Sequence, residues 1–324
     1  MNGATALAGK RLGAERESGL MDVHTESVQP RLSAPRTRSF TSWSWVSLWA
    51  LMAWGLMTGC TTPDTPSSGT APTYQPQRGQ MGKDVMWLPT SANLVKTMLS
   101  AAHVTSEDLV VDLGAGDGII PIMAAQLHGA RALGIEYNAK LAAHAQQQVE
   151  RAGVASLARI VQGDIFQENF SAATVVTMYL LPELNLQLRP TLLAMKPGTR
   201  LVSHAFDMGD WEPDQVLGTE RERAYLWIVP AQLAGRWLLR DAQGHTLGTF
   251  VLQQRFQRVG GQMLLAGASQ PLLGARVDGT TLRLQYIGQD DGLHAVSLKQ
   301  TPDGLQGDMT VHGVTHPVSA QRIP

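Results

Sequence analysis

Between residues 81 and about 231 the apolar positions switch repeatedly between two periods. ANLVKTMLSAAH (92–103) spaces its apolar residues three and four apart behind Thr90 or Ser91, which predicts a capped helix. LVVDLG (109–114) is a short apolar run interrupted only by Asp112 and closed by glycine, the pattern of a buried strand. The alternation continues through a helix in GIIPIMAAQLH, a strand in ARALGIE and a helix in NAKLAAHAQQQVERAG that stops at Gly153. LARIVQGD and TVVTMYL then read as strands, PELNLQLRPTLLAMKPG as a helix with Pro182 in its first turn, and TRLVSHAF and AYLWIVP as further strands. Strands separated by helices of about 10–15 residues build βαβ units, so a mostly parallel α/β sheet is expected. The stretch before AYLWIVP is too short for another helix, which predicts a hairpin from around Val216 into Tyr225–Val229.

From about residue 232 the helical period disappears. Short apolar runs such as GTFVLQQRF, QMLLAGA, TLRLQYIG, HAVSLKQ and LQGDMTVHG are punctuated by Gly and Asp-Gly. Evenly spaced short strands predict a small all-β module over 232–324, a barrel or sandwich. Its opening Gly235-Arg236-Trp237 resembles the first strand of lipocalin-like barrels. The module is expected to be an accessory domain without catalytic residues.

The N-terminal residues 1–42 are polar and aperiodic, and read as a disordered segment or an over-long start with Met21 as a second initiator. Arg31, Arg36 and Arg38 then precede the uncharged run Trp43 to Gly59, which ends in Leu56-Met57-Thr58-Gly59-Cys60. A basic stretch followed by an apolar one is a secretory signal pattern. Its end resembles a bacterial lipobox, which implies a lipidated Cys60 and a membrane-anchored lipoprotein. A single membrane-spanning helix is the alternative, as is a cytoplasmic protein with a misassigned start. Residues 61–80, rich in Thr, Pro, Ser and Gln, read as a linker between this 43–60 segment and the domain over 81–231.

Composition narrows the function classes. The chain has 324 residues, enough for about two domains. With Lys+Arg 26 against Asp+Glu 27, there is no strong electrostatic signal for nucleic acid. Cys60 is the only cysteine, which excludes an intrachain disulfide framework and a cysteine-cluster zinc site; no metal site is expected.

The chemistry concentrates in Asp112-Leu113-Gly114-Ala115-Gly116-Asp117-Gly118, where a strand turns through glycines into a helix. Glycines let a backbone approach a ligand, and a helix N-terminus presents free N–H groups. The spacing is G-x-G-x-G, not the G-x-G-x-x-G of dinucleotide enzymes, which argues against a nucleotide-dependent oxidoreductase. Acids at 112 and 117 would repel a pyrophosphate and suit a cationic or zwitterionic ligand. Glu136 closes the second strand, where an acid can accept from both hydroxyls of a ribose. Asp164, in Gly163-Asp164-Ile165-Phe166, closes the third, where an acid can accept from an adenine amino group. Asp112, Glu136 and Asp164 fall at the carboxyl ends of successive strands, where open α/β sheets bind ligands.

VVDLGAGDGII, GIEYN and GDIF, in this order, resemble the motifs of the class I, seven-stranded S-adenosylmethionine (SAM)-dependent methyltransferases over about residues 85–230. The resemblance implies a Rossmann-like, mostly parallel seven-stranded sheet with helices on both faces. It implies that Asp112, Gly114 and Gly116 surround the methionine part of SAM, that Glu136 holds the ribose, and that Asp164 and Ile165 hold the adenine; Asp117, beside the glycines, is a further cofactor-binding candidate. Trp87-Leu88-Pro89-Thr90 and Tyr179-Leu180-Leu181-Pro182-Glu183 are similar to the branch containing protein-lysine methyltransferases. The Asn/Asp-Pro-Pro-Tyr/Phe motif of amino-methylating nucleic-acid enzymes is missing after the fourth strand.

Tyr179, His204, Asp207 and Trp211 follow strands four and five, so they are the candidate catalytic, acceptor-side residues. Aromatic rings can contact a cationic amine, and His204, Asp207 or Glu183 can take its proton. The expected function is methyl transfer from SAM to an amine, a protein lysine first. The rival is an envelope lipoprotein that keeps the fold as a non-catalytic scaffold, because SAM is made inside the cell and the signal pattern sends the domain outside. Every cofactor motif lies upstream of residue 231, so a chain truncated there is expected to fold and bind SAM.

Anchoring is tested through its single sulfur. A diacylated cysteine supplies two chains at about 0.8 kcal/mol per buried CH₂, enough for stable attachment. Metabolic labelling with a fatty acid should mark the wild type and not Cys60→Ala. An unlabelled wild type found in the cytoplasm overturns the lipoprotein reading.

Overall fold

The computed structural model describes residues 74–84 and 86–324. Cys60 and the Trp43–Gly59 run lie outside these residues. Among the described residues no helix is long and apolar enough to cross a membrane.

The first helix, α1 (Ala92–Ala101), starts where Ser91 Oγ accepts the N–H of Leu94 at 3.2 Å. The chain then runs β1 (Leu109–Leu113), α2 (Ile119–His128), β2 (Arg131–Glu136), α3 (Ala139–Arg151) and β3 (Ala158–Gln162). β4 (Val175–Met178), α4 (Pro182–Leu193), β5 (Arg200–His204), β6 (Gln215–Gly218) and β7 (Arg223–Ile228) complete a seven-stranded sheet ordered β3-β2-β1-β4-β5-β7-β6. β1 to β5 pair in parallel, whereas β7 is antiparallel to both β5 and β6. The last two strands form the expected hairpin, with no helix between β5 and β6. Asn138 caps α3 with its side chain, and Pro182 opens α4, where its missing N–H costs nothing.

Alternation along the strands sorts the core into two layers. Val110, Ala132, Val175 and Val202 face one way and pack under α1, α2 and α3. Val111, Val176, Leu201 and Trp227 face the other way and pack under α4 and Trp211. Burial on both faces is why β1 and β4 are apolar at every position but Asp112 and Thr177, which bond to each other. β1 connects to β2 on one side and lies beside β4 on the other. The chain therefore diverges at the carboxyl ends of β1 and β4, and a crevice opens there.

The remaining chain is all strand: β8 (Gly235–Asp241), β9 (Thr246–Arg255), β10 (Arg258–Leu265), β11 (Ala268–Pro271), β12 (Leu273–Asp278), β13 (Thr281–Ile287), β14 (Leu293–Thr301), β15 (Gly304–Val311) and β16 (Val314–Ile323). Each pairs antiparallel with its neighbour, β16 returns to β8, and β11 and β12 follow each other along one edge of β10. β9 also pairs with β10, so the sheet closes into a barrel in which only the short β11 keeps an unpaired side. Its interior is filled by Trp237, Leu239, Phe250, Leu284, Tyr286 and Leu298, all buried. Trp237, in the Gly-x-Trp opening, donates its indole N–H to Leu233 O at 2.8 Å and lies 4.8 Å under the Arg322 guanidinium of the last strand. The short β11 and β12 and the C-terminal β16 were not marked by the sequence runs, because their apolar alternation is weak: β11 buries no residue fully.

Two boundaries differ from the sequence expectation. Tyr74–Gln80, linker by composition, folds against the domain: the Tyr74 ring meets His144 of α3 at 5.9 Å, and Trp87 N–H donates to Gln80 O at 2.9 Å. The barrel also shares core with the first sheet. Trp211 is fully buried, its ring stacked on Phe256 at 5.8 Å and its indole N–H donated to Gln257 Oε1 at 3.1 Å. Truncation after residue 231 removes both partners and strands a buried donor, which costs about 1–3 kcal/mol before the lost stacking is counted. A chain ending at 231 should therefore unfold at a lower denaturant midpoint than the full chain. Equal midpoints would show that the two sheets are energetically independent.

Candidate functional site

The loop after β1 is shaped by its glycines. Gly114, Gly116 and Gly118 have φ of +77°, +56° and +82°, a region that disfavours any side chain. The N–H groups of Gly114 and Ala115 both donate to Ile135 O, at 2.9 and 3.0 Å, which folds the loop over the end of β2. A Cβ at Gly116 would collide with the Trp87 indole, so space as well as φ demands glycine there. Gly118 then caps the start of α2, whose first residues Ile119 and Ile120 line the crevice.

Three acids surround this loop. Asp112 lies in β1 in register with Gly134 and Thr177 and accepts the Thr177 hydroxyl at 2.7 Å. Burial pushes its carboxyl up to about 7, and the neighbouring Asp117 and Glu136 charges add to the rise. Asp117 Oδ1 accepts from Ile119 N at 3.3 Å, and its pKa is likewise raised by burial. Glu136 accepts the N–H of Gly116 on one oxygen and that of Asn138 on the other, both at 2.9 Å. Burial raises its pKa against the pull of those bonds. Buried acids that pair with no Lys or Arg among the described residues favour a ligand that brings positive charge and hydrogen-bond donors.

The crevice has two connected parts. The first encloses about 640 Å³, its open mouth included, and is lined by Asp112, Gly114, Gly116, Asp117, Glu136 and Tyr179 among others. The second, about 440 Å³ on the same basis, is lined by Asp164, Ile165, Phe166 and Tyr137. Gly82, Gly114, Glu136 and Leu180 line both, so Glu136 stands at the join. A long ligand can span the two with its middle at Glu136.

Asp164 is not free. It sits two residues beyond β3, with Oδ1 accepting Phe166 N–H at 3.0 Å and Oδ2 paired to Lys83 Nζ at 2.8 Å. The Lys83 ammonium holds its carboxyl below the usual range. Lys83 belongs to a strap before α1 in which Met81 pairs with Met86. Gln80, Met81, Gly82, Trp87 and Leu88 from this segment line the crevice. Sequence reasoning did not place the strap in the site. The lone signal was the Trp87-Leu88-Pro89-Thr90 resemblance, which says nothing about where the segment packs.

On the acceptor side the four candidates separate. Tyr179 follows β4, lines the crevice and packs on the His204 ring at a centroid distance of 3.8 Å. His204 ends β5 and is buried. Its Nδ1 lies 3.0 Å from the hydroxyl of Thr90, which also lines the crevice. Burial lowers the His204 pKa, so the ring is neutral at physiological pH, against a weaker opposing pull from Glu222. Asp207 is exposed and spends its side chain on a turn, accepting Gly209 N–H at 3.0 Å; it does not line the crevice. Trp211 is corrected outright: with no exposed surface it packs between the first sheet and the barrel and cannot touch an acceptor. Apolar bulk after a strand is as good for core as for a pocket, and here the core takes it.

The residues fit SAM on the structure's own terms. A glycine cradle that a Cβ would fill lies beside these buried acids, and an adjoining slot is lined by Ile165 and Phe166. The family described as the ANTKMT methyltransferase domain matches residues 112–215. The protein-lysine N-methyltransferase of Saccharolobus islandicus (strain REY15A) is 40% identical over 151 residues, 45% of this chain and 94% of its own length. The adenine nucleotide translocase lysine N-methyltransferase of Mus musculus is 30% identical over 146 residues, 45% of this chain and 63% of its own, so the chain spans less than two thirds of that relative. A crystal structure of an RNA methyltransferase from Salinibacter ruber in complex with S-adenosyl-L-homocysteine is 46% identical over 45% of this chain and 96% of that one, with a TM-score of 0.44. The glycine cradle, the acids around it and the length of the archaeal match lead to one family: the chain belongs to the class I SAM-dependent methyltransferases and is related to the protein-lysine methyltransferases.

Proposed function

We propose that the protein transfers a methyl group from SAM to the side-chain amine of a protein lysine, and that it does so from a lipid anchor at Cys60. The observation that carries the acceptor class is the 40% identity over nearly the whole of a protein-lysine N-methyltransferase. In this reading Asp112, Asp117 and the Gly114–Gly116 backbone face the methionine part, Glu136 takes the ribose hydroxyls, and Ile165 and Phe166 flank the adenine. Bound there, SAM supplies a sulfonium-borne methyl group for in-line displacement.

The chain's own part is positioning and proton handling. An amine attacks only when neutral, and a desolvated crevice wall of Tyr179, Trp87 and Leu180 favours the neutral form. Neutral His204, stacked on Tyr179 behind the crevice lining, takes the proton in this reading through the Thr90 hydroxyl, which does line the crevice. The tyrosine face also offers the incoming cation a favourable contact before it loses that proton.

The test incubates the full chain with methyl-tritiated SAM and two acceptors, poly-L-lysine and unfolded serum albumin, followed by hydrolysis and amino-acid analysis. Tritiated methyllysine is the expected product. SAM binding without transfer to either acceptor removes the lysine reading, and no SAM binding favours the scaffold.

Glu136→Ala should weaken SAM binding sharply. It deletes two charge-assisted hydrogen bonds to the ribose, each worth about 1.5–3 kcal/mol, and also unties Gly116 and Asn138. Wild-type affinity by calorimetric titration would sink the ribose assignment.

SAM affinity should also depend on pH through Asp112. The free protein keeps this carboxyl protonated up to about pH 7. A bound ammonium beside it favours the carboxylate, so the complex carries fewer protons and affinity rises with pH until about 7, then levels. Asp112→Asn should flatten that rise. The same substitution should stabilise the unliganded protein above pH 7, where folding buries a charge, and leave it unchanged below about pH 4, where the carboxyl is protonated in both states.

A further inference from the structure

Three successive residues of the loop after β5 are tied to the barrel. Asp210 pairs with Arg255 at the end of β9. Trp211 stacks on Phe256 and donates to Gln257, the two residues of the β9–β10 turn. Glu212 pairs with Arg258 at the start of β10, and its backbone carbonyl accepts from Gln257 Nε2 at 2.7 Å. The ion pairs are exposed and screened, so they add little. The buried contacts dominate: Gln257 is 7% exposed and bonds in both directions, and Trp211 is fully enclosed. The turn itself is braced. Phe256 has φ +54°, costly for a bulky side chain, and its carbonyl is held by Gln254 Nε2 at 2.7 Å.

The other end of the same loop backs Tyr179, which lines the acceptor side of the crevice. His204 and Phe206 flank Tyr179, with ring centroids 3.8 and 6.3 Å away. Asn185 of α4 donates to the carbonyls of Phe206 and Asp207, each at 3.2 Å. Met208 bridges to Trp211, so the segment from Phe206 to Trp211 is one short closed structure. Ala205, just before it, has φ +65°, a conformation that persists only when its surroundings hold it. α4 grips this structure at one end and the barrel turn grips it at the other.

We propose that the barrel is part of the methyl-transfer apparatus: Phe256 and Gln257 are positioning residues that hold the 205–212 loop, through Trp211, so that His204 and Phe206 set Tyr179 against the acceptor. This rests on the reading of the crevice as a methyl-transfer site. The cofactor side is built on β1, β2 and the strap, and among the described residues no hydrogen bond or ring contact of the turn reaches them. Disturbing the turn therefore separates the two halves of the reaction.

The experiment compares the full-length wild type with Gln257→Met, which removes both hydrogen bonds at similar volume, and Phe256→Leu, which removes the stacking. SAM affinity is read by titration, methyl transfer to poly-L-lysine by tritium, and loop order by amide hydrogen exchange over residues 205–212. The expected result is unchanged SAM affinity, faster exchange in the loop, and a fall in transfer of about 10²-fold, the scale of a displacement of about 1 Å in a reacting geometry. Transfer at the wild-type rate overturns the proposal. So does loss of SAM affinity in parallel with transfer, since the turn would then support the whole fold and not the acceptor side. A wild type that binds SAM and methylates nothing is a different failure, that of the lysine reading itself.

Discussion

The carboxylate of Glu136, held between the N–H groups of Gly116 and Asn138, is the constraint on which the site depends. One oxygen fixes the glycine loop after β1 and the other fixes the start of α3. The ends of two adjacent parallel strands are thereby locked by a single side chain. The loop is free to be locked because Gly114, Gly116 and Gly118 take left-handed backbone that other residues avoid. Carboxylates offer about four acceptor sites, so two bonds to backbone leave capacity facing the crevice. In the proposed reading, structure and ligand recognition use the same group.

Around that group the protein accumulates negative charge with little compensation. Asp112, Asp117 and Glu136 are all substantially buried, and burial drives each pKa upward. Such an arrangement costs the unliganded fold stability at neutral pH. A ligand that carries an ammonium, a sulfonium and two vicinal hydroxyls relieves much of that cost, which makes the cost itself a source of selectivity. The opposite end of the crevice is already balanced, since Asp164 is paired with Lys83 of the strap. The strap covers the crevice from outside the sheet, with the Trp87 indole filling the space that Gly116 leaves.

The barrel changes how the first sheet should be viewed. In place of a helix between β5 and β6 the chain has an irregular loop, and an irregular backbone needs partners for its polar groups. Asn185 supplies them from within the sheet's own helix layer, and Gln257 supplies them from the barrel. Trp211 is the joint: it is core to one sheet, neighbour to the other, and exposed to neither solvent nor substrate.

Period, glycine spacing and strand-end acids were enough to read the parallel sheet, the β6–β7 hairpin, the cofactor motifs and the presence of a β-rich second part, because each is a local pattern within one element and its turn. Tertiary structure alone decided the rest. That Tyr74–Trp87 folds over the crevice depends on contacts with α3 and the glycine loop, which polar, proline-containing residues do not advertise. That the antiparallel strands close into a barrel depends on β16 meeting β8, a pairing between the two ends of the segment. That Tyr179 lines the site with His204 stacked behind it, while Asp207 turns outward and Trp211 turns inward, depends on side-chain direction at and after the strand ends. There the alternation of a strand stops, and only packing against α4 and the barrel turn sets which way a residue points.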